Sequence, residues 1–367
     1  MRRTQKLSAA TSVVAAVLVF TACSDSATTT TTTTSPASST SSGDTTTTPV
    51  GTTATTPVST VPPSDQRVTV LLSPFSEMGP QWSERTFPYG EGEETLGTSP
   101  GGEGLMLGPE YGTQTPDGTW WFLDAAKTRI AHFDEEGSYL DQVVVPEDLL
   151  VDGLYFQYQM PQALDDGTIA VAGFRGETSM ALLRIADGEA TGADFDGAVP
   201  WVTTDGSYLY GLDFEGGPHR LDPDNPVTEP VEWLSARDGS RYRVTVDQDE
   251  ILVELPDGPT PLTRTLELRF SEDPAVAARA GIEVETGVDG SLFILLYGAP
   301  ESDESLGIGG YLSISPDGAV EQAEPISDPF SLADPGSPAH LGVRPGTSTP
   351  WVMVVGEDGV HVFTRSG

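Results

Sequence analysis

The side chains of this chain that could do chemistry are few and of recognisable kinds: one cysteine, four histidines, and a set of arginines and glutamates on short alternating runs. Cys23 directly follows an apolar run from Leu7 to Ala22. The histidines are His132, His219, His340 and His361. Three of them stand in similar settings, Ile-Ala-His-Phe, Pro-His-Arg-Leu and Val-His-Val-Phe, which read as outer hairpin strands. Those positions do not converge, so a three-histidine metal site is not expected. His340 alone precedes an inner strand. The charged set is Arg241, Arg243, Arg344, Glu283 and Glu285, with Gln162, Tyr111 and Trp201 at equivalent positions. Gathered in one place, such groups would bind a small polar or anionic ligand through the guanidinium groups. On neighbouring strands they would instead neutralise one another as struts. No Gly-x-Ser-x-Gly elbow and no glycine-rich phosphate loop followed by lysine occurs. The acid-rich loops Asp222-Pro-Asp224-Asn225 and Glu301-Ser-Asp303-Glu304 could hold a divalent cation such as calcium only weakly, because the spaced ligands and glycine of an EF-hand are missing.

What must position these groups is a repeat. Strong helical patterns are almost absent past Gln66. Short β-branched and aromatic runs follow tight turns instead: Trp120–Leu123, Ile169–Ala172, Tyr208–Tyr210, Ile251–Val253, Leu292–Leu296 and Trp351–Val355. The turns are expected at Asp117-Gly118, Asp166-Gly167, Asp205-Gly206, Gln248-Asp249, Asp289-Gly290 and Ser348-Thr349, between 39 and 59 residues apart. A period near 40 to 50 with several strands per unit predicts a β-propeller. The strand before each turn should then be innermost. Counting four residues back gives Thr113, Gln162, Trp201, Glu285 and Arg344, and two residues further out stand Tyr111, Met160, Arg241 and Glu283. In the Arg241–Val246 run the alternation puts Arg243 on the same face as Arg241. A central channel lined by these residues is the expected place for a ligand.

The segment Asp117-Gly-Thr-Trp-Trp-Phe-Leu-Asp124 continues through Arg129-Ile-Ala-His-Phe133 to a second turn at Gly137. It resembles the NHL repeat, and that resemblance implies a six-bladed propeller. In it Asp124 would accept hydrogen bonds in the hairpin, Arg129 would brace it, and Ile130 and Phe133 would pack between blades. Calcium-dependent lactonases of related propeller shape hold their metal with Glu, Asn and Asp; the channel set here supplies Glu283 and Glu285 and no Asn. Val68–Leu72 is expected to complete the last blade against Val360–Thr364, so that no sheet edge is left open. One inserted helix is expected over Pro274–Ala280, stopped by Gly281.

The N-terminus supplies an address. Met-Arg-Arg, the apolar run and small residues before Cys23 form an export signal. Phe20-Thr-Ala-Cys23 resembles the lipobox of bacterial lipoproteins, in which the signal is cut before the cysteine and the sulfur takes a diacylglycerol. The resemblance implies a chain anchored to the membrane through Cys23 on the extracytoplasmic side. Residues 28–63 are rich in Thr, Ser and Pro and hold no aromatic residue, so they cannot offset the entropy of ordering and are expected to be a disordered stalk. Lipobox and Thr-rich stalk together resemble exported actinobacterial lipoproteins. The expected organisation is a signal over residues 1–22, a lipidated linker over 23–66 and a propeller over 67–367.

The formal charge is −37 over 367 residues, and loss of residues 1–22 moves it to −40, because Arg2, Arg3 and Lys6 leave with no acid. Such a surface repels nucleic acid and anionic headgroups, so only an acyl chain could hold it at a membrane. A lipid-anchored binding or scaffold module meeting a protein, glycan or small polar ligand is the expected function. The alternative is a metal-dependent hydrolase or lyase of lactone or glycan substrates, with its site in the channel and no catalytic residue assignable from sequence.

Overall fold

The computed structural model describes residues 66–100, 106–107, 109, 111–146, 161–174, 179–196, 201–212, 217–247, 249–257, 261–304, 306–327 and 339–366. Cys23, the export signal and the Thr-rich linker lie outside the described residues.

The described chain is all-β and propeller-like. The first four-stranded sheet is built from Gly112–Gln114, Trp120–Asp124, Arg129–Phe133 and Tyr139–Val144 in sequence order. The second holds Gln162–Ala163, Ile169–Phe174, Ser179–Ala186 and Glu189–Asp196, and the third Trp201–Thr204, Leu209–Leu212, Pro218–Leu221 and Thr228–Pro230. Each is an antiparallel meander whose first strand is short. An eight-stranded sheet follows. Leu234–Ser235, Arg241–Asp247, Glu250–Leu255 and Leu262–Phe270 form one half, and Ala278–Thr286, Leu292–Pro300 and Ile308–Ile314 the other. The N-terminal strand β1 (Gln66–Pro74) lies between the halves, parallel to Leu262–Phe270 and touching Ile308–Ile314 through Ser73 and Pro74. The closing sheet joins His340–Val343, Pro350–Val355 and Gly359–Arg365 to β2 (Trp82–Pro88). A two-stranded ladder pairs Ser99–Pro100 with Met106–Leu107.

Trp120–Asp124, Ile308–Ile314 and Pro350–Val355 are buried on both faces, which is why they read as apolar runs, whereas Leu262–Phe270 alternates cleanly. Trp120 and Phe122 face the closing sheet, where they pack with Phe87, Phe133, Trp351 and Val362. Leu123 and Ile130 face the second sheet, against Ile169, Val171 and Leu183. Further apolar layers run from the second sheet to the third through Met180, Phe195 and Leu209. They continue from the third into the eight-stranded sheet through Tyr210, Leu234 and Tyr242, and from there to the closing sheet through Phe293, Tyr311, Leu341 and Val352. Apolar layers thus join each sheet to the next, while β1, Glu250–Leu255 and Leu262–Phe270 keep one polar, partly exposed face that carries Arg67, Glu250, Glu267 and Arg269.

Two expectations are corrected here. Val68–Leu72 does not meet Val360–Thr364. β1 pairs instead with Arg264–Phe270, and β2 takes the closing position, from Trp82 opposite Arg365 to Pro88 opposite Gly359. The polar look of Ser-Glu-Arg-Thr hides this strand, but Trp82 and Phe87 at its ends are buried in two different apolar layers. The helix expected over Pro274–Ala280 is absent. A turn in which the Val276 N–H donates to Asp273 O leads into the strand Ala278–Thr286, which pairs along its whole length with Leu292–Pro300. Nine ladder partners outweigh the helix preference of four alanines. Among the described residues the helical structure is one 3-10 turn, Ala125–Lys127.

Candidate functional site

One hairpin, repeated with small changes, aims residues at the centre. In Thr115-Pro-Asp-Gly-Thr119, the Thr115 N–H donates to Thr119 O, the Gly118 N–H donates to Thr115 O, and the Asp117 carboxylate accepts the Thr119 N–H. The same pattern recurs at Leu164–Thr168, Ala236–Ser240 and Gly287–Ser291, with Asp166, Asp238 and Asp289 as acceptors. The four glycines have φ between +79° and +92°, where only glycine avoids a steric penalty, so Asp-Gly is a demand of the backbone. Once a hairpin is set, the two-residue period of the strand before it decides which side chains face inward.

Glu285 is the centre of the resulting cluster. The Gln162 Nε2–H, from the second sheet, donates to Glu285 Oε1 at 3.1 Å, and the Thr203 hydroxyl, from the third, donates to Oε2 at 3.1 Å. Its carboxyl is pushed up to about 7 by burial, against the Arg237 guanidinium and these two hydrogen bonds, which favour the charged form. Glu283, two residues earlier on the same face, accepts from His340 Nδ1 at 3.0 Å and from the Leu341 backbone N–H at 2.7 Å, both of the closing sheet. The Tyr111 ring, just ahead of the first sheet, lies 4.8 Å from the His340 ring. Arg237 belongs to the hairpin opening the eight-stranded sheet. Its buried guanidinium donates to Asp165 at 2.7 Å and to Ala163 O at 3.2 Å, tying that hairpin to the second sheet. Two carboxylates therefore bind four neighbouring strands to one another across sheet boundaries.

Of the residues singled out from sequence, Tyr111, Gln162, Glu283 and Glu285 are brought together here. Trp201 opens the innermost strand of the third sheet opposite Leu212, and its backbone alone is described. Arg344 stands at the rim, donating to Glu135 at 3.0 Å and to Pro116 O at 3.4 Å, and so links the closing sheet to the first at loop level. Arg241 and Arg243 are elsewhere: they lie on the second strand of their sheet and point outward. Arg241 grips Asp257 through Nε at 2.8 Å, and Arg243 donates to Glu232 O at 2.6 Å with its guanidinium 4.4 Å above the Trp233 ring. The cause is a misplaced turn. The inner hairpin of this unit is Asp238-Gly239, not Gln248-Asp249, so the inner strand is Leu234–Ser235. Reading that Asp-Gly pair would have exposed Arg237, which supplies the cation expected from Arg241 and Arg243. Thr203 follows Trp201 by two residues and was legible by the same alternation.

The other polar motifs are engaged. Arg129 Nε donates to Asp124 at 2.9 Å in a buried pair, and Asp124 also accepts the Gly97 N–H. Arg129 further reaches Glu93 O at 2.7 Å and Gln142 at 2.8 Å, which pins the 92–97 loop to the first sheet. His132 Nδ1–H donates to Asp141 and the ring stacks on Trp121; His361 sits between Glu84 and Asp358. In the acid-rich loops, Asp222 accepts the backbone N–H groups of Asp224 and Asn225, Asp224 pairs with Arg184, and Glu301 pairs with Arg279. Among the described residues no group of three or more His, Cys, Asp or Glu is placed to hold a metal ion. None of the described helices is long and apolar enough to cross a membrane.

Solved structures match this chain at low identity. A structural-genomics protein of unknown function from Bacteroides thetaiotaomicron matches at 11% identity and TM-score 0.44, over 77% of this chain and 75% of that one. Virginiamycin B lyase from Staphylococcus aureus matches at 12% and 0.39, over 77% and 88%. The Cps50 (Swd1) beta-propeller domain from Myceliophteria thermophila matches at 11% and 0.34, over 71% and 97%. At these scores the likenesses transfer no activity to this chain. No curated protein matches it in sequence. The family model described as "Domain of unknown function (DUF7485)" matches residues 80–365, from β2 to the last strand of the closing sheet, and the chain belongs to that family.

Proposed function

We propose that this protein is a lipid-anchored, extracytoplasmic propeller of NHL-like, six-bladed organisation that works as a binding or scaffold module at the cell surface. The observation that carries the address is the apolar run Leu7–Ala22 ending at Cys23, the sole cysteine, followed by a Thr-rich linker. Fully extended, residues 28–66 would reach roughly 120 Å at about 3.1 Å per residue, enough to carry the folded body well clear of a bilayer. The six-bladed count is supported by the six inner strands that precede hairpins: Gly112–Gln114, Gln162–Ala163, Trp201–Thr204, Leu234–Ser235, Ala278–Thr286 and His340–Val343. On this reading the eight-stranded sheet is two blades stitched by β1. A binding role fits the central cluster better than catalysis does. Both carboxylates at the centre accept two hydrogen bonds each from neighbouring sheets, so they serve as struts, and the faces and flanks are left to meet a partner.

The anchor is tested by Cys23→Ser expressed with its native signal. The variant is expected in the medium and the unaltered chain in the membrane fraction. Equal membrane retention of both would overturn the lipid-anchor reading.

A further inference from the structure

Where β1 runs on toward β2, the chain forms one side of an open groove of about 390 Å³. The opposite side is the hairpin joining the last two strands of the closing sheet. Phe75, Val354 and Phe363 make its apolar lining, and Glu77, Glu357 and His361 stand around them. The position of Phe75 is held by two glycines. A Cβ on Gly307 or Gly309 would come within 2.4 or 2.6 Å of its ring, so only glycine lets the ring lie flat there. Gly356 keeps another part clear, since a Cβ there would meet His361 Nε2 at 2.4 Å. His361 is itself held between carboxylates, with Nδ1 at 2.7 Å from Glu84 and Nε2 at 2.9 Å from Asp358. Glu77 and Glu357 are exposed and have no ion-pair partner among the described residues.

An apolar floor beneath carboxylates that lack a cation suits one kind of occupant. Arginine and lysine carry a methylene stem that prefers apolar surface and a charged head that prefers an acid. An anionic group would be repelled by a chain whose formal charge is −37, and a purely apolar one would leave the carboxylates without a cation. We propose that this groove takes a basic side chain from an extended segment of a partner protein, its stem on Phe75, Val354 and Phe363 and its charge at Glu77 and Glu357. The assignment rests on the binding-module reading above and gives that partner a chemistry.

The test is an anisotropy titration of the full chain with a labelled Gly-Arg-Gly-Arg-Gly peptide at 0.15 M NaCl, against the same peptide with norleucine for arginine. Two double variants carry the same charge change: Glu77→Gln with Glu357→Gln in the groove, and Asp187→Asn with Glu189→Gln on the outer hairpin of the second sheet, away from it. Saturable binding of the arginine peptide is expected, weakened about tenfold by the groove pair, as two half-exposed ion pairs would give, and little changed by the other pair. Equal weakening by both pairs would mean diffuse attraction to an acidic surface and would overturn the proposal, as would no binding or equal binding of the norleucine peptide. Capture of an envelope partner equally by the unaltered chain and by the groove pair would overturn the groove while leaving the binding-module reading in place.

Discussion

At the scale of single residues, Glu285 carries a measurable signature. Its carboxyl titrates near 7 in the folded chain against an ordinary value of 4.5, because burial opposes the charge more than Arg237, Gln162 and Thr203 favour it. Between those two pH values the folded state holds the proton that the unfolded state has released. Its contribution to stability is therefore complete below about 4.5 and lost as pH rises through about 7, amounting to about 3 kcal/mol. Glu285→Gln should remove that term. In urea melts at pH 5 and pH 8, the variant is expected to lose less stability on going to pH 8 than the unaltered chain does. Identical losses would mean that burial does not raise the Glu285 carboxyl as stated. Its neighbour Glu283 accepts through both oxygens from the closing sheet. Both glutamates were legible in the sequence because they alternate back from the Asp289-Gly290 hairpin. Their partners were not, since nothing local says which strand will lie opposite.

At the scale of elements, β2 matters more than its composition suggests. The Phe87 ring packs 4.6 Å from Phe122, 5.2 Å from Phe133 and 6.0 Å from Trp120, all in the first sheet, while its own strand completes the closing sheet. Truncating a buried phenylalanine costs about 3–5 kcal/mol, so Phe87→Ala should lower the denaturation midpoint strongly. Leu71→Ala on β1, where the side chain is 37% exposed, should shift stability by no more than about 0.5 kcal/mol. If the two variants melt alike, β2 does not hold the first and closing sheets together. The same contrast explains what was legible at this scale. Asp-Gly hairpins are local, and four of the five repeated ones were found at their places. The fourth unit was read from the wrong hairpin because Gln248-Asp249 also joins two strands, the second and third rather than the first and second. β1 was put in the place that β2 takes because both precede the first unit and only long-range packing ranks them.

At the scale of the whole molecule, an excess of 55 acids over 18 bases works against a compact shape. Charges of one sign repel over the Debye length, about 10 Å at 0.1 M salt and about 3 Å at 1 M. The melting temperature is therefore expected to rise as NaCl goes from 0.05 to 1 M. A fall would mean that surface pairs such as Arg241–Asp257 and Arg344–Glu135 contribute more than the net repulsion removes. The same field gives the proposed groove its preference for a cation. It also leaves attachment to an anionic membrane dependent on something other than the protein's own charge.

What the amino-acid sequence determined by itself was whatever acts within a few residues. It set the positive-φ glycines of the hairpins, the two-residue alternation that turns Gln162, Glu283 and Glu285 inward, and the surplus of acids outside. Tertiary structure alone decided which strands meet. Gln66–Leu72 lies beside Arg264–Phe270, and Trp82–Pro88 beside Gly359–Arg365, across separations of nearly two hundred and nearly three hundred residues. Such pairings are chosen by burial of apolar faces summed over the whole ring, and no local pattern of residues encodes that sum.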